Sequence, residues 1–230
     1  MDIRGFQKLT LLDFPGHTAC TVFTGGCNMR CQYCHNSDLV KYFNEYPQID
    51  EQVVFDYLSK RKGIIAGVCV TGGEPMLMKD LPEFISKIKS LGYLVKIDTN
   101  GTFPNELKYI IDNGLCDYVA MDVKNSKEKY GLTIGRENFD ISNVLKSIEI
   151  LRSSHIDHEF RTTTCKTLHT IEDLKGILDM IGHDSKYYIQ AYRDSEKVMD
   201  RTIEGYLPSE LTVIVEELKK INPNVCVRGL

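Results

Sequence analysis

Hydrophobic and polar positions along this chain follow two periods in turn. Short apolar runs at 18–24, 66–71, 93–98, 117–122, 157–164 and 186–192 have the length and composition of strands. Between and after them, apolar residues recur every three to four positions at 50–62, 80–91, 104–113, 141–153, 170–182 and 208–220, the period of amphipathic helices. Asp50, Asp80, Ser142, Thr170 and Ser209 stand at helix starts, where a side-chain oxygen can accept from an open backbone amide. Gly92 and Gly114 follow helices, where a left-handed residue closes the last turn. Strand–helix alternation predicts parallel strands joined by right-handed crossovers. A closed eight-unit barrel takes about 250 residues, so six units predict an α/β fold, a partial (β/α)6 TIM-like barrel. Ile3, Phe6, Leu9, Leu11, Leu12 and Phe14 partly alternate before Pro15-Gly16 and predict a short strand or hairpin covering one end. The organisation expected is one domain over 1–230: a lead-in at 1–16, the barrel at 17–193, and a C-terminal helix and tail at 194–230.

Composition narrows this picture. A chain of 230 residues, 42% hydrophobic, supplies one well-packed core and little more. A net charge of −4 and a pI near 5.9 argue against a nucleic-acid partner. No apolar run reaches membrane-span length, and Met1-Asp2-Ile3-Arg4 lacks the apolar core of a signal peptide. A cytoplasmic protein with no membrane partner is expected. Eight cysteines in such a chain read as free thiols and metal ligands rather than as a disulfide framework. Cys20, Cys69, Cys116, Cys165 and Cys226 lie singly in or beside apolar runs and read as small buried hydrophobes.

The remaining cysteines carry the chemistry. Cys27, Cys31 and Cys34 form C-x3-C-x2-C in a polar, glycine-rich loop directly after the first strand of the alternating set. Three thiolates spaced this closely can converge on one metal centre and leave it one ligand short. Thiolate donors select zinc or iron–sulfur clusters, both of which usually take four protein ligands. His35 directly follows Cys34, a spacing unsuited to closing a zinc tetrahedron, although a structural zinc site is the competing reading. An under-ligated centre leaves a position for a small molecule. The other strand ends are also polar: Thr71-Gly72-Gly73-Glu74-Pro75, Asp98-Thr99-Asn100-Gly101, Met121-Asp122-Val123-Lys124, Arg161 to Thr164, and Gln190 to Arg193. In a parallel barrel those ends carry the functional residues. Arg161 alternates with His158, Phe160 and Thr162, points inward, and needs a partner such as a carboxylate or Glu74. His169 reads as a surface or capping residue, and His17, His155 and His183 as loop or helix-end residues.

C-x3-C-x2-C with Tyr33 before the last cysteine resembles the signature of the radical S-adenosylmethionine (radical SAM) superfamily. The resemblance implies a radical SAM barrel with a [4Fe–4S] cluster held by Cys27, Cys31 and Cys34. Its fourth iron is chelated by S-adenosyl-L-methionine, and the Tyr33 backbone lies against the adenine. It further implies that an electron from the cluster cleaves the sulfonium and releases a 5′-deoxyadenosyl radical, while the protein binds, orients and excludes water. By the same resemblance Gly72, Gly73 and Glu74 meet the methionyl amino group, and Lys124 meets the methionyl carboxylate. Asp98, Thr99 and Asp122 could hold a monovalent cation, to which oxygen ligands are suited. Arg193 stands where formate-lyase activases carry a histidine near the nucleotide.

Within that superfamily, Thr10 to Gly16, Val22 to Cys27 and Cys34-His35-Asn36 resemble the start of anaerobic ribonucleoside-triphosphate reductase activating proteins. Pro223 to Gly229 resembles their ending. The likeness spans nearly the whole chain, is strongest over 10–36, and is patchy after 125. It implies an oxidoreductase that removes hydrogen from a glycine Cα of a glycyl-radical enzyme, the large subunit of anaerobic ribonucleotide reductase, with flavodoxin or ferredoxin as the reductant. Two alternatives share the motifs: an activase of another glycyl-radical enzyme, and a small-molecule enzyme resembling 7-carboxy-7-deazaguanine synthase.

Overall fold

The computed structural model describes residues 1–230, and the alternation read from the sequence is present along it. Its strands are β1 (Ile3–Thr10), β2 (Ala19–Thr24), β3 (Gly67–Gly72), β4 (Leu94–Thr99), β5 (Tyr118–Asp122), β6 (Asp157–Thr164), β7 (Tyr187–Ala191) and β8 (Val225–Arg228), in chain order across the sheet. β1 runs antiparallel to β2, whereas β2–β3, β3–β4, β6–β7 and β7–β8 are parallel pairs. The helices are α1 (Ser37–Lys41), α2 (Glu51–Ser59), α3 (Leu81–Ser90), α4 (Pro104–Asp112), α5 (Tyr130–Thr133), α6 (Ser142–Ser153), α7 (Ile171–Ile181) and α8 (Pro208–Lys219). This is the α/β fold with a parallel-strand sheet that the sequence predicts. No helix is long and apolar enough to cross a membrane.

Two compact units make up the chain. One comprises Met1–Asn28, Asp38–Thr99 and Asn105–Ala120; the other comprises Met29–Ser37, Asn100–Pro104 and Met121–Leu230. In the first, Val22, Val68, Val70, Val95 and Ile97 of the strands are fully buried, as are Phe84, Ile85 and Ile88 of α3. The lead-in is anchored by Phe14, whose ring lies where any side chain at Gly67 would go: a Cβ there would stand 2.7 Å from it. In the second, Phe160 and Ile189 share the interior with Leu174, Ile177 and Leu178 of α7 and with Leu211, Val215 and Leu218 of α8. Each such side chain contributes roughly 1.5–3 kcal/mol on burial.

Several expectations are corrected. β8 lies in what the sequence reading leaves as tail, and α1 and α5 are additional short helices. Asp50 caps α2 by accepting from the Gln52 amide at 2.8 Å, and Thr170 forms a capping box with Asp173. Asp80 does not cap α3, because its carboxylate takes the N-terminal ammonium of Met1 instead. Ser142 lies inside α6, with Asp140 accepting from its amide, and Ser209 lies inside α8, where Glu210 accepts from the Leu207 amide. Gly92 and Gly114 do adopt positive φ, at 88° and 61°. None of the eight cysteines is in a disulfide. Cys226 is exposed rather than buried, because it sits on the outer face of the four-residue β8.

Besides its pairing with β7, β8 is tied to β6 by an ion pair. Arg228 donates from Nη1 and Nη2 to Glu159 Oε1 and Oε2 at 2.6 and 2.8 Å and lies 3.4 Å above the Tyr188 ring. Glu159 is fully buried, so losing its guanidinium leaves a desolvated carboxylate. Arg228→Met is expected to cost about 2 kcal/mol, reduced from the fully buried case because Arg228 is partly exposed, and to lower Tm by about 4–8 °C in calorimetry. Adding Glu159→Gln should recover part of that loss; a double variant no more stable than Arg228→Met contradicts this account of β8.

Candidate cluster and nucleotide site

In the first unit, β2 runs into Gly25-Gly26-Cys27, and β3 ends at Gly72-Gly73-Glu74. A Cβ at Gly73 would stand 1.7 Å from the Gly26 carbonyl oxygen, and one at Gly72 (φ 122°) would stand 2.3 Å from the Thr24 amide. Only glycine lets these backbones approach so closely. The contact is stitched by Gly73 N–H donating to Thr24 O at 3.0 Å and Glu74 N–H donating to Gly26 O at 2.8 Å. Gly26 N–H in turn donates to Leu39 O at 2.8 Å. The Glu74 carboxylate is buried, and its Oε1 accepts from the Met76 amide at 3.1 Å and from Thr99 Oγ1 at 2.8 Å. Gly72, Gly73, Glu74 and Thr99 are therefore one connected group. Asp98 takes the Lys96 ammonium as its partner, and Cys27 is half-buried.

In the second unit, the rest of the cysteine loop is held by backbone bonds. Cys34 N–H donates to Cys31 O at 3.1 Å, Arg30 N–H to Ile134 O at 2.9 Å, and Asp200 N–H to Gln32 O at 2.9 Å. His35 Nε2 lies 2.6 Å from Arg193 O. The Arg193 side chain is exposed and donates to Gly229 O at 3.0 Å, so it braces the C-terminal segment. Asp122 accepts from Lys124 Nζ at 2.9 Å and from Arg161 Nε at 2.8 Å, which identifies the carboxylate partner that Arg161 needs. Burial alone would push the Asp122 carboxyl up, but Arg161 and Lys124 together hold it well below the usual carboxylate range. Burial opposes the Lys124 charge, yet Asp122 beside it raises its pKa well above that of a free lysine. Lys124 and Arg161 thus both face the Asp122 carboxylate, one from each side of the β5 end. Tyr33 is buried beside this group, and its hydroxyl has no hydrogen-bond partner in the protein.

His169 overturns the surface reading. It is fully buried, with Nε2 2.8 Å from Lys124 O and Nδ1 3.1 Å from the Cys165 amide, which donates to it. Desolvation lowers its pKa, so the ring is neutral at pH 7 and ties the segment after β5 to the loop after β6. Sequence reasoning misses it because a lone histidine before a helix cap carries no periodic signal.

The donor set fits a thiolate-bound cluster in kind. Cys27, Cys31 and Cys34 are not in disulfides, and glycine contacts fix the backbone that leads into Cys27, although no three His, Cys, Asp or Glu side chains stand together at chelating spacing. Burial pushes the Cys34 thiol up, against the Asn36 amide, Lys124 and Arg30, which favour the thiolate.

The Radical SAM superfamily signature matches residues 21–181. A provisionally named glycyl-radical enzyme activating enzyme of Methanocaldococcus jannaschii is 31% identical over 238 aligned positions, spanning 99% of this chain and 96% of that protein. The pyruvate formate-lyase-activating enzyme of Listeria monocytogenes is 33% identical over 132 positions, 53% of this chain and 52% of that enzyme. Among solved structures, Streptococcus suis SuiB superposes with a TM-score of 0.66 over 89% of this chain and 47% of its own, at 14% identity, a likeness of fold alone. SuiB has also been solved with S-adenosylmethionine bound. On these matches the chain is an enzyme of the Radical SAM superfamily, with the partial barrel of that group and with a [4Fe–4S] cluster and S-adenosylmethionine as its cofactors.

Proposed function

We propose that this enzyme activates a glycyl-radical enzyme by removing hydrogen from a backbone glycine Cα, and that its partner is an anaerobic ribonucleoside-triphosphate reductase. The observation that carries the first half is the match along almost the entire length of both chains to the archaeal activating enzyme. The second half rests on the Thr10–Gly16 and Cys34-His35-Asn36 segments and on the ending after Pro223. When bound, the [4Fe–4S] cluster supplies the electron that cleaves S-adenosylmethionine to methionine and a 5′-deoxyadenosyl radical.

The chain's own residues bind and orient. Cys27, Cys31 and Cys34 would hold the cluster. Gly72 and Gly73 would let backbone carbonyls meet the methionyl ammonium, beside a Glu74 already fixed by Met76 and Thr99. Lys124, held by Asp122 at 2.9 Å as β5 ends, would receive the carboxylate, as the resemblance implies, with Arg161 on the other side of Asp122. Tyr33 would present its backbone to the adenine. Arg193 would act through its carbonyl on His35 rather than through its guanidinium. Lys96 already neutralises Asp98, and Lys124 and Arg161 neutralise Asp122, so charge balance at these groups does not require a monovalent cation. The reductant would be a low-potential protein such as flavodoxin or ferredoxin, acting in the cytoplasm.

Mixing the reduced, cluster-loaded enzyme with S-adenosylmethionine and the anaerobic reductase large subunit is expected to give a glycyl radical signal in electron paramagnetic resonance. Signal on another glycyl-radical enzyme but not on the reductase overturns the partner, and none on any such enzyme overturns the activase reading. Lys124→Gln should weaken S-adenosylmethionine binding about tenfold, or about 1.4 kcal/mol, in anaerobic equilibrium dialysis. Unchanged affinity would remove Lys124 from the carboxylate site.

A further inference from the structure

One buried cysteine outside the metal-binding loop shares its surroundings with a buried cation. Cys69 on β3 and Lys96 on β4 are register partners in neighbouring parallel strands. Their side chains are 0% and 1% exposed. Lys96 Nζ lies 3.8 Å from Cys69 Sγ, and Asp98, two residues along the same strand face, accepts from that ammonium and lies 3.7 Å from the sulfur. An ordinary buried cysteine has apolar neighbours and is inert. Cys69 instead faces an amine at contact distance, with a carboxylate touching both groups and able to take a proton from either. Cys69 has no part in the proposed chemistry at the cysteine loop, and Lys96 enters it only as the counter-ion of Asp98.

We propose that Cys69 and Lys96 are a covalent modification site, joined by dioxygen through a single bridging oxygen as Cys–S–O–NH–Lys. The ammonium first gives a proton to the Asp98 carboxylate, which frees the nitrogen lone pair toward the sulfur. The thiol, the amine and one O2 then become the bridged product and one water. One S–H and one N–H bond break, and S–O and N–O bonds form. Sulfur and nitrogen each lose two electrons, and dioxygen gains the four. Four electrons and four protons from two equivalents of a dithiol return the free thiol, the free amine and a second water. The bridge staples β3 to β4 just before Gly72-Gly73-Glu74 and Thr99. It also removes the Lys96 charge and so releases Asp98 from its ion pair, which makes it an oxygen-dependent change at the strand ends that carry the candidate nucleotide site. The inference depends on neither the partner nor the activase reading.

The test is mass spectrometry on the cluster-loaded enzyme, purified anaerobically, exposed to air-saturated buffer, and digested without reductant. The expected result is a linked peptide pair containing Cys69 and Lys96, heavier than the sum of its parts by one oxygen less two hydrogens. It should disappear after dithiol treatment and be missing in Cys69→Ser and in Lys96→Arg. Recovery of the Cys69 peptide unlinked to Lys96, whether as thiol, sulfinate or disulfide, overturns the proposal whatever those variants do.

Discussion

The contact between the Gly73 α-carbon and the Gly26 carbonyl is the constraint on which the site depends. The β2–β3 register places Thr24 opposite Gly72, so the backbone beyond each strand end must pass the other at a distance no side chain permits. With glycine at Gly72 and Gly73, the amides of Gly73 and Glu74 reach Thr24 and Gly26, and the entry to Cys27 becomes part of the sheet's hydrogen-bonding pattern. A loop that would otherwise be mobile is thereby given the rigidity that metal ligation rewards, because little ordering remains to be done when the cluster is bound.

Charge is handled by the same economy of spacing. Side chains two apart along a strand share a face, and Lys96–Asp98 is neutralised in this way within one strand. Asp122 and Lys124 repeat the spacing as β5 ends, and Arg161 from β6 adds the second cation. A buried charge without such a partner costs several kcal/mol, so these pairs are conditions for having ionised groups inside the fold.

Much of this was legible in the sequence because it is local. Strand and helix periods are written in consecutive residues, and C-x3-C-x2-C declares a metal centre through its spacing, whereas Gly-Gly-Glu-Pro takes its role only from the family resemblance. The misses are contacts that no local pattern encodes. Asp80 looks like a helix cap until the N-terminal ammonium, 79 positions away, takes its carboxylate. His169 is polar and solitary, and only folding places the Lys124 carbonyl and the Cys165 amide around its ring. β8 is too short for alternation to register, and Glu159, 69 positions upstream, is what fixes its Arg228. Cys69 looks like any small core residue until strand pairing sets it beside Lys96.

The most direct measurement is of Gly73→Ala, reconstituted anaerobically and assayed for bound iron and for S-adenosylmethionine affinity alongside the unaltered enzyme. Because the added methyl group must displace the Gly26 carbonyl, the variant should keep its helix and strand content yet fall below four irons per chain or lose at least about tenfold in affinity, about 1.4 kcal/mol. A variant that binds four irons and the nucleotide as the parent does would contradict the claim that this glycine contact sets the site.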